Sequence, residues 1–232
     1  MKSFSIVVAA ALTFGASGSA SADPGLGSRL GKDHDADHRA YSDADAARQA
    51  AAFVSCMVAK HESSARTMLD STDEASSERA AKAMLREDRC NQIGFENGMS
   101  DTTSFTYPAD VLRGMVAERL IGNSFDRAAM LPAMPLERIY ARQWFAMTGR
   151  DAVVDAMAVC LTENAPTDVV GLLRTGAYSA QEMAAVQVLG PTMGKCLQVG
   201  YKLHANRQTL RAAIAEALYH RLNAPVAAAA GK

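Results

Sequence analysis

A pattern that occurs twice in the chain constrains its fold more than any other feature. A Cys-x-Gln-Ile/Val-Gly-Phe/Tyr motif occupies residues 90–95 (with Asn at x) and again residues 196–201. Each copy is followed by a Leu-Arg-x-x-Val/Ile-Ala-Glu-x-Leu motif, at residues 112–120 and at residues 210–218. Two long motifs in the same order indicate an internal duplication, so we expect two similar units in tandem.

The four cysteines of the chain fit this arrangement. Each unit has one cysteine in its motif, Cys90 or Cys196, and one upstream, Cys56 or Cys160. A unit that held two cysteines before duplication closes on itself, which predicts the disulfides Cys56–Cys90 and Cys160–Cys196. Zinc binding is the alternative use of cysteine, but there is no C-x-x-C and no nearby histidine pair, so disulfides are favoured.

The amino terminus has the pattern of a secretory signal peptide over residues 1–22. Lys2 precedes a short apolar run at residues 4–14, and an Ala-x-Ala site predicts cleavage between Ala22 and Asp23. The apolar run is shorter than the roughly 20 residues that span a bilayer. We therefore expect a soluble mature protein, in the periplasm or secreted, with no membrane span.

Composition and periodicity predict an all-α fold. Aromatic residues make up only 6% of the chain while alanine is abundant, which favours helices over strands. We expect three to four helices in each unit, residues 43–122 and 150–223, packed as one helical domain. A linking segment, residues 123–149, joins them. Residues 23–42 are predicted to be a mobile arm and residues 224–232 a disordered tail.

Helix boundaries and core positions follow from spacing and capping residues. Ser42 or Asp43 caps the first helix, residues 61–64 break it, and a second hairpin arm runs over residues 74–92. Gly94 and Gly200 are predicted at left-handed helix stops. The apolar positions expected inside these helices are Ala47, Ala50, Phe53, Val54, Met57, Val58, Ala65, Met68, Leu69, Ala80, Ala81, Met84 and Leu85.

The linking segment is predicted to contain a turn at residues 131–135 and then a helix over residues 136–147. Ile139, Tyr140, Trp144 and Phe145 supply the apolar side of that helix. Because the segment has no counterpart within a single unit, we expect it to pack between the two units.

The repeated charges are candidates for a binding pair. Arg113 and Glu118 recur as Arg211 and Glu216. They lie five positions apart, on different sides of a helix, so they cannot easily pair within one copy. Solvated or capping charges are the favoured interpretation.

Other candidate ligands carry less weight. His34 and His38 could hold a metal if that stretch were helical, but a solvated linker is favoured because no helix signal surrounds them. The methionines follow the apolar stripes, which favours core filling over copper binding.

The spacing of the second copy resembles that of exported bacterial proteins with paired helical, cysteine-closed units and no assigned function. The matching residues are Cys160, Pro166, the Leu172-Leu173 pair, Ser179 with Glu182, and Cys196. The first copy departs from the pattern, with Glu62 in place of the proline. The resemblance covers most of residues 44–222 and implies a fold and a compartment, but no activity.

No catalytic, phosphate-binding or dinucleotide motif is present, and a formal net charge of −1 gives no sign of nucleic-acid binding. We therefore expect no catalytic, cofactor or metal residues. The favoured function is a non-enzymatic binding or scaffolding module of the cell envelope. Its partner would be a protein or a small molecule, held in a groove between the units that the linking helix lines. The alternative is an enzyme whose site is assembled between the units.

Overall fold

The structure is a computed structural model that describes residues 42–86, 90, 108–137, 139–197 and 200–224. These residues form helices and connecting segments, with no strand among them. The predicted signal peptide with its cleavage site, the arm with His34 and His38, the helix stop at Gly94 and nearly all of the tail lie outside the described residues.

Helices α1, α2, α3 and α4 form the first half of the described chain. They are α1 (Asp43–Lys60), α2 (Glu62–Asp70), α3 (Glu74–Leu85) and α4 (Ala109–Ile121). Ser42 caps α1 through a reciprocal capping box with Asp45, as a Ser followed three residues later by an acidic residue allows. The break predicted at residues 61–64 is confirmed, because His61 separates α1 from α2.

The second half of the described chain has one short α-helix followed by four longer ones. After the short α5 (Phe125–Ala129) come α6 (Ala152–Asn164), α7 (Pro166–Leu173), α8 (Ala180–Cys196) and α9 (Arg207–Asn223). Pro166 occupies the first position of α7, where its missing N–H costs nothing. Asp151, Ser179 and Asn206 cap α6, α8 and α9 with side-chain hydrogen bonds.

Helices α4 and α9 pack against each other at the centre of the fold, and the other helices surround them. Helices α1 and α2 contact α4, while α6 and α7 contact α9. The close approach of the two central helices depends on Gly114, because a Cβ at that position would overlap the backbone and the Cβ of Ala212. The crossing is therefore set by a pair of small residues within the repeated motif.

Both predicted disulfides are confirmed. Cys56 is bonded to Cys90 and Cys160 to Cys196, and the Cα atoms are 5.7 Å apart in each pair. In the first half the bond joins α1 to Cys90, which follows α3. In the second half it joins α6 to the last residue of α8. The pairs span 34 and 36 positions, so the two closed loops are nearly equal in length.

Most predicted core positions of α1, α2 and α3 are buried. The prediction that Leu85 is a core residue is wrong, since it is exposed, and Ala81 is only partly buried. The stop predicted at Gly200 is also wrong in position. Its φ of +90° does lie in the left-handed region, but α8 already ends at Cys196 and Leu197 takes an extended conformation.

The predicted linking helix does not form. Just before that stretch, Met134 N–H donates to Glu163 O at 2.8 Å, and within it Glu137 N–H donates to the nearby Tyr140 hydroxyl at 2.9 Å, so neither N–H enters an α-helical ladder. Among the described residues of that stretch, Gln143–Met147 alone is helical, as a 3₁₀ helix. The segment contacts α6, α7 and α9 of the second half.

Candidate functional site

Two ion pairs cross between α4 and α9. Arg113 on α4 binds Glu216 on α9, with Nη2 and Oε1 2.5 Å apart. Arg211 on α9 binds Glu118 on α4 through two parallel bonds, at 2.7 Å and 2.9 Å. Of the predicted solvated or capping charges, the solvated interpretation is wrong, because both arginines and Glu216 are buried. The capping interpretation holds for the two arginines, which donate to helix-end carbonyls. Arg and Glu five positions apart cannot pair within one helix, but each finds its partner on the facing helix.

Each arginine also closes the end of a neighbouring helix. Arg113 donates to the carbonyl oxygens of Met68 and Leu69, at 2.7 Å and 3.3 Å, where α2 ends. Arg211 donates to the corresponding carbonyls of α7, those of Leu172 and Leu173. The last carbonyls of a helix have no partner within it, so these bonds satisfy groups that would otherwise be buried without one. Arg113 also donates to Ser77 on α3, and Arg211 to Glu182 on α8, so each arginine connects four helices.

A further arginine completes the charge balance around Glu216. Arg150 donates to the second oxygen of Glu216 at 2.6 Å and to Asp155 at 2.7 Å. We call Arg113, Arg150, Asp155 and Glu216 the Glu216 cluster; it holds two cations and two anions. Sequence reasoning missed Arg150 and Asp155. A signal was present, since Asp155 interrupts the apolar run of α6.

Burial raises the pKa values of the two acids in this cluster, and the neighbouring cations lower them. Burial alone would raise the pKa of Glu216, but the His220 imidazole and the Arg113 and Arg150 guanidinium groups lower it to about 2. Burial raises the pKa of Asp155, and its bonds from Arg150 and Thr148 offset only part of that rise. Glu216 is therefore the stronger acid, because two guanidinium groups neutralise it directly.

A second cluster lies at the other end of the crossing. Glu182, at the start of α8, binds Arg211 at 3.0 Å and Arg207 at 2.6 Å. We call Glu118, Glu182, Arg207 and Arg211 the Glu118 cluster, and it also balances two cations with two anions. The turn that precedes α8, next to this cluster, is strained because Tyr178 has φ of +61°, a conformation rare for a residue other than glycine. The Tyr178 N–H donates to Glu182, which helps to hold that turn.

His220 lies at the edge of the Glu216 cluster. Its Nε2 is buried without a hydrogen-bond partner, 3.9 Å from Glu216 Oε1. The imidazole stacks on Trp144, with ring centroids 4.4 Å apart and planes inclined by 15°. Trp144 thus covers this end of the crossing from the linking segment.

These clusters favour a structural role over a catalytic one. Perturbed pKa values often mark active sites, but structural ion-pair networks produce them too. The Glu216 carboxylate is fully buried and both of its oxygens are engaged by arginine. A substrate could reach it only by displacing those bonds.

An exposed apolar surface lies on the linking segment. Met130, Met134, Leu136 and Ile139 are 77%, 43%, 52% and 72% exposed, and we call them the apolar linker surface. The segment is attached at several points, through the backbone of Met134 and through Arg221, which donates to the Pro132 carbonyl. The exposed side chains are therefore carried by a stretch of chain that is fixed to α6 and α9.

Other potential binding features are weaker. An open depression of about 310 Å³ lies between α2 and α3, lined by hydroxyl groups and Arg79. Within the described part of the chain, no group of His, Cys, Asp and Glu residues is arranged to hold a metal ion. In the same residues, no helix combines the length and apolar character required to cross a bilayer.

The fold and the clusters define an all-helical protein with two disulfides and buried ion pairs between its central helices. No protein-family model matches the chain, and no curated protein or solved structure is detectably similar to it. The resemblance to exported bacterial proteins with paired units therefore stays a prediction from motif spacing.

Proposed function

We propose that this protein is an exported, non-enzymatic binding or scaffolding protein of the cell envelope, and that it binds a protein partner through the apolar linker surface. The observation that carries the proposal is the clustering of exposed apolar side chains: four of them lie within ten residues of the linking segment. Leu85, Met183, Val188 and Tyr201, the other large exposed ones described, are on other elements. Contiguous exposed apolar surface marks interaction sites more often than scattered residues do.

A protein partner fits this surface better than a small molecule does. Small molecules bind in concave sites that bury most of their area. The apolar linker surface instead lies on a non-helical stretch of chain. Pro132 and Pro135 have no N–H and limit regular pairing there, so side-chain contacts would supply most of the binding energy.

The enzyme alternative is less well supported. It requires a reactive acid, base or nucleophile in a cleft between the halves. At the α4–α9 crossing the carboxylates of Glu216 and Glu182 are each bonded to two arginines. All four cysteines are bonded in disulfides. Groups that are already paired are poor candidates for proton transfer or nucleophilic attack.

We further propose that the two halves arose by duplication and that the chain is exported. The near-equal disulfide loops and the reciprocal use of Arg113 and Arg211 support duplication. The signal-peptide pattern of residues 1–22 supports export, with which the disulfides are compatible.

Site-specific photo-crosslinking in cells tests the binding proposal. A photoreactive amino acid at Ile139 should give one discrete crosslinked partner, and the same residue at Glu78, an exposed position on α3, should not. The partner is then purified and its affinity for the chain is measured. The substitution Ile139→Glu should weaken binding by about tenfold or more, since it introduces a charge into an apolar contact.

Leu85→Glu is the matched control, because Leu85 is an exposed apolar residue on α3, outside the apolar linker surface. It should leave the affinity unchanged. Equal weakening by both substitutions, or the same crosslinks at Ile139 and Glu78, would contradict the proposal.

A further inference from the structure

We propose that the apolar linker surface is redox-sensitive: oxidation of Met130 and Met134 to sulfoxides converts it from apolar to polar and thereby weakens partner binding. The loss of binding rests on the proposed function. The change of the surface itself does not, because it can be measured on the protein alone.

The described methionines range from exposed to buried, with Met115, Met147 and Met193 partly buried between the two extremes. Met130 is 77% exposed and Met134 43%, while Met157 is 2% exposed. Met57, Met68 and Met84 are buried as well. Because oxidation requires the oxidant to reach the sulfur atom, solvent exposure determines which thioethers react first. Two of the methionines that react readily therefore belong to one surface.

Thioethers are the sulfur groups left to react. The four cysteines are paired in two disulfides, so none is a thiol that would consume the oxidant first. The oxidant proposed is a peroxide. The thioether sulfur attacks one peroxide oxygen, an S–O bond forms and the O–O bond breaks. With hydrogen peroxide the sulfur loses two electrons, and the second oxygen leaves as water after a proton shift.

The consequence follows from the composition of the surface. Met130 and Met134 are half of its apolar residues, and each sulfoxide replaces a flexible apolar group by a strongly polar one. Leu136 and Ile139 cannot be oxidised in this way, and neither can the exposed Pro132, Ala133 and Pro135 beside them. Sulfoxide formation at two positions therefore makes part of the surface polar, and reductases that act on methionine sulfoxide can restore it.

Met183 supplies a matched control within the same chain. It is 54% exposed, between Met130 and Met134, but it lies on α8, outside the apolar linker surface. It should be oxidised as readily as they are. Its oxidation should leave the apolar linker surface, and hence partner binding, unchanged.

The first experiment is a hydrogen peroxide titration of the purified full chain, followed by peptide mapping by mass spectrometry. Met130 and Met134 should form sulfoxides at least roughly tenfold faster than Met157, because exposure limits the reaction. Equal rates at the exposed and buried positions would overturn the assignment of these sites.

The second experiment compares wild type with Met130→Leu/Met134→Leu and with Met183→Leu, before and after peroxide. Leucine keeps the surface apolar and cannot form a sulfoxide. Retention on a hydrophobic interaction column should fall after oxidation in wild type and in Met183→Leu, and should recover after treatment with methionine sulfoxide reductases. The double variant should keep most of its retention. A fall in the double variant as large as that in wild type would overturn the proposal.

The crosslinking experiment then separates this proposal from the proposed function. If the surface binds a partner, the crosslink at Ile139 should weaken after oxidation in wild type and persist in the double variant. Loss of the crosslink to the same extent in both would overturn the redox proposal. Absence of any crosslink before oxidation would contradict the proposed function, while the retention measurements would still test the change of the surface.

Discussion

The two ends of the α4–α9 crossing use the same pair of residue types at the same spacing, yet their environments differ. Glu216 is fully buried, whereas the side chain of Glu118 is 28% exposed. The chain before α6 makes the difference, since Trp144 of the linking segment and Arg150, directly after that segment, lie at the Glu216 cluster. At the other end, Glu182 and Arg207 take part from helices α8 and α9. The same sequence motif therefore gives a fully buried glutamate at one end of the crossing and a partly exposed one at the other, because other residues cover only the first.

This difference has an energetic consequence. Burying charges costs several kcal/mol per ion, and direct partners recover that cost only when the geometry is good. The fully buried cluster therefore depends on every one of its members. At Glu118, whose side chain is 28% exposed, water can replace part of a lost interaction, so this position should tolerate substitution better.

The largest expected effect is that of Glu216→Gln. The substitution leaves the guanidinium groups of Arg113 and Arg150 without their shared carboxylate, and breaking a buried pair costs about 3–5 kcal/mol of unfolding free energy. Glu118→Gln should cost about 1–2 kcal/mol, because its site is open to water. Urea unfolding of both variants measures the comparison. Equal losses would show that the cover from the linking segment has no energetic role.

The disulfides should behave alike, in contrast to the ion pairs. Their loops span 34 and 36 positions, so the loop-entropy model gives each bond about 4 kcal/mol. Cys56→Ala/Cys90→Ala and Cys160→Ala/Cys196→Ala should lower the unfolding free energy by similar amounts, measured by thermal or urea unfolding. Reductant should destabilise wild type in the same way, and an insensitive wild type would contradict a stabilising role for either bond.

Acid should destabilise the protein through Glu216. The folded-state pKa is about 2, below the ordinary value of 4.5, so the ionised form stabilises the fold above pH 4.5. That stability, on the order of 3 kcal/mol, is lost as pH falls from about 4.5 to 2. Asp155 has the opposite effect on the unfolding free energy. Burial raises its pKa in the folded state, so protonation of Asp155 stabilises the folded state relative to the unfolded chain.

Unfolding free energy measured against pH should therefore fall more steeply below pH 4.5 in wild type than in Glu216→Gln. Glu78→Gln, an exposed control, removes only a surface pair with Lys82. A pH profile of Glu216→Gln that matches wild type would show that other carboxylates carry the acid sensitivity.

Gly114→Ala should lower the unfolding free energy by about 1–3 kcal/mol, less than Glu216→Gln or the loss of either disulfide. The added methyl group would overlap Ala212 and force α4 and α9 apart, which lengthens the ion pairs at both ends of the crossing. The reverse change, Ala212→Gly, adds no overlap and serves as the control. If Gly114→Ala is as stable as wild type, the close approach of the helices is not required for the pairing.

Much of the fold was predictable because it depends on local chemistry. Ser42 and Asp73 cap helices where their side chains can accept from nearby N–H groups, and the spacing of apolar residues in α1 matches its buried face. The pairing of Cys56 with Cys90 followed from the repeated motif. The candidate site was not predictable in the same way. Arg113 and Glu118 are local neighbours in sequence, but their partners are about a hundred residues away.

The sequence by itself determined the helices of the two halves, their caps and the two disulfides, since these depend on residue type and spacing along one chain. Tertiary structure alone decided that the α-helix predicted over residues 136–147 does not form and that some of the apolar side chains of this stretch lie on the surface. It also decided which charges are buried. The physical reason is the same in each case: the backbone of the linking segment and the repeated arginines bind groups distant in sequence, and those contacts outweigh local helix preference and the default solvation of charge.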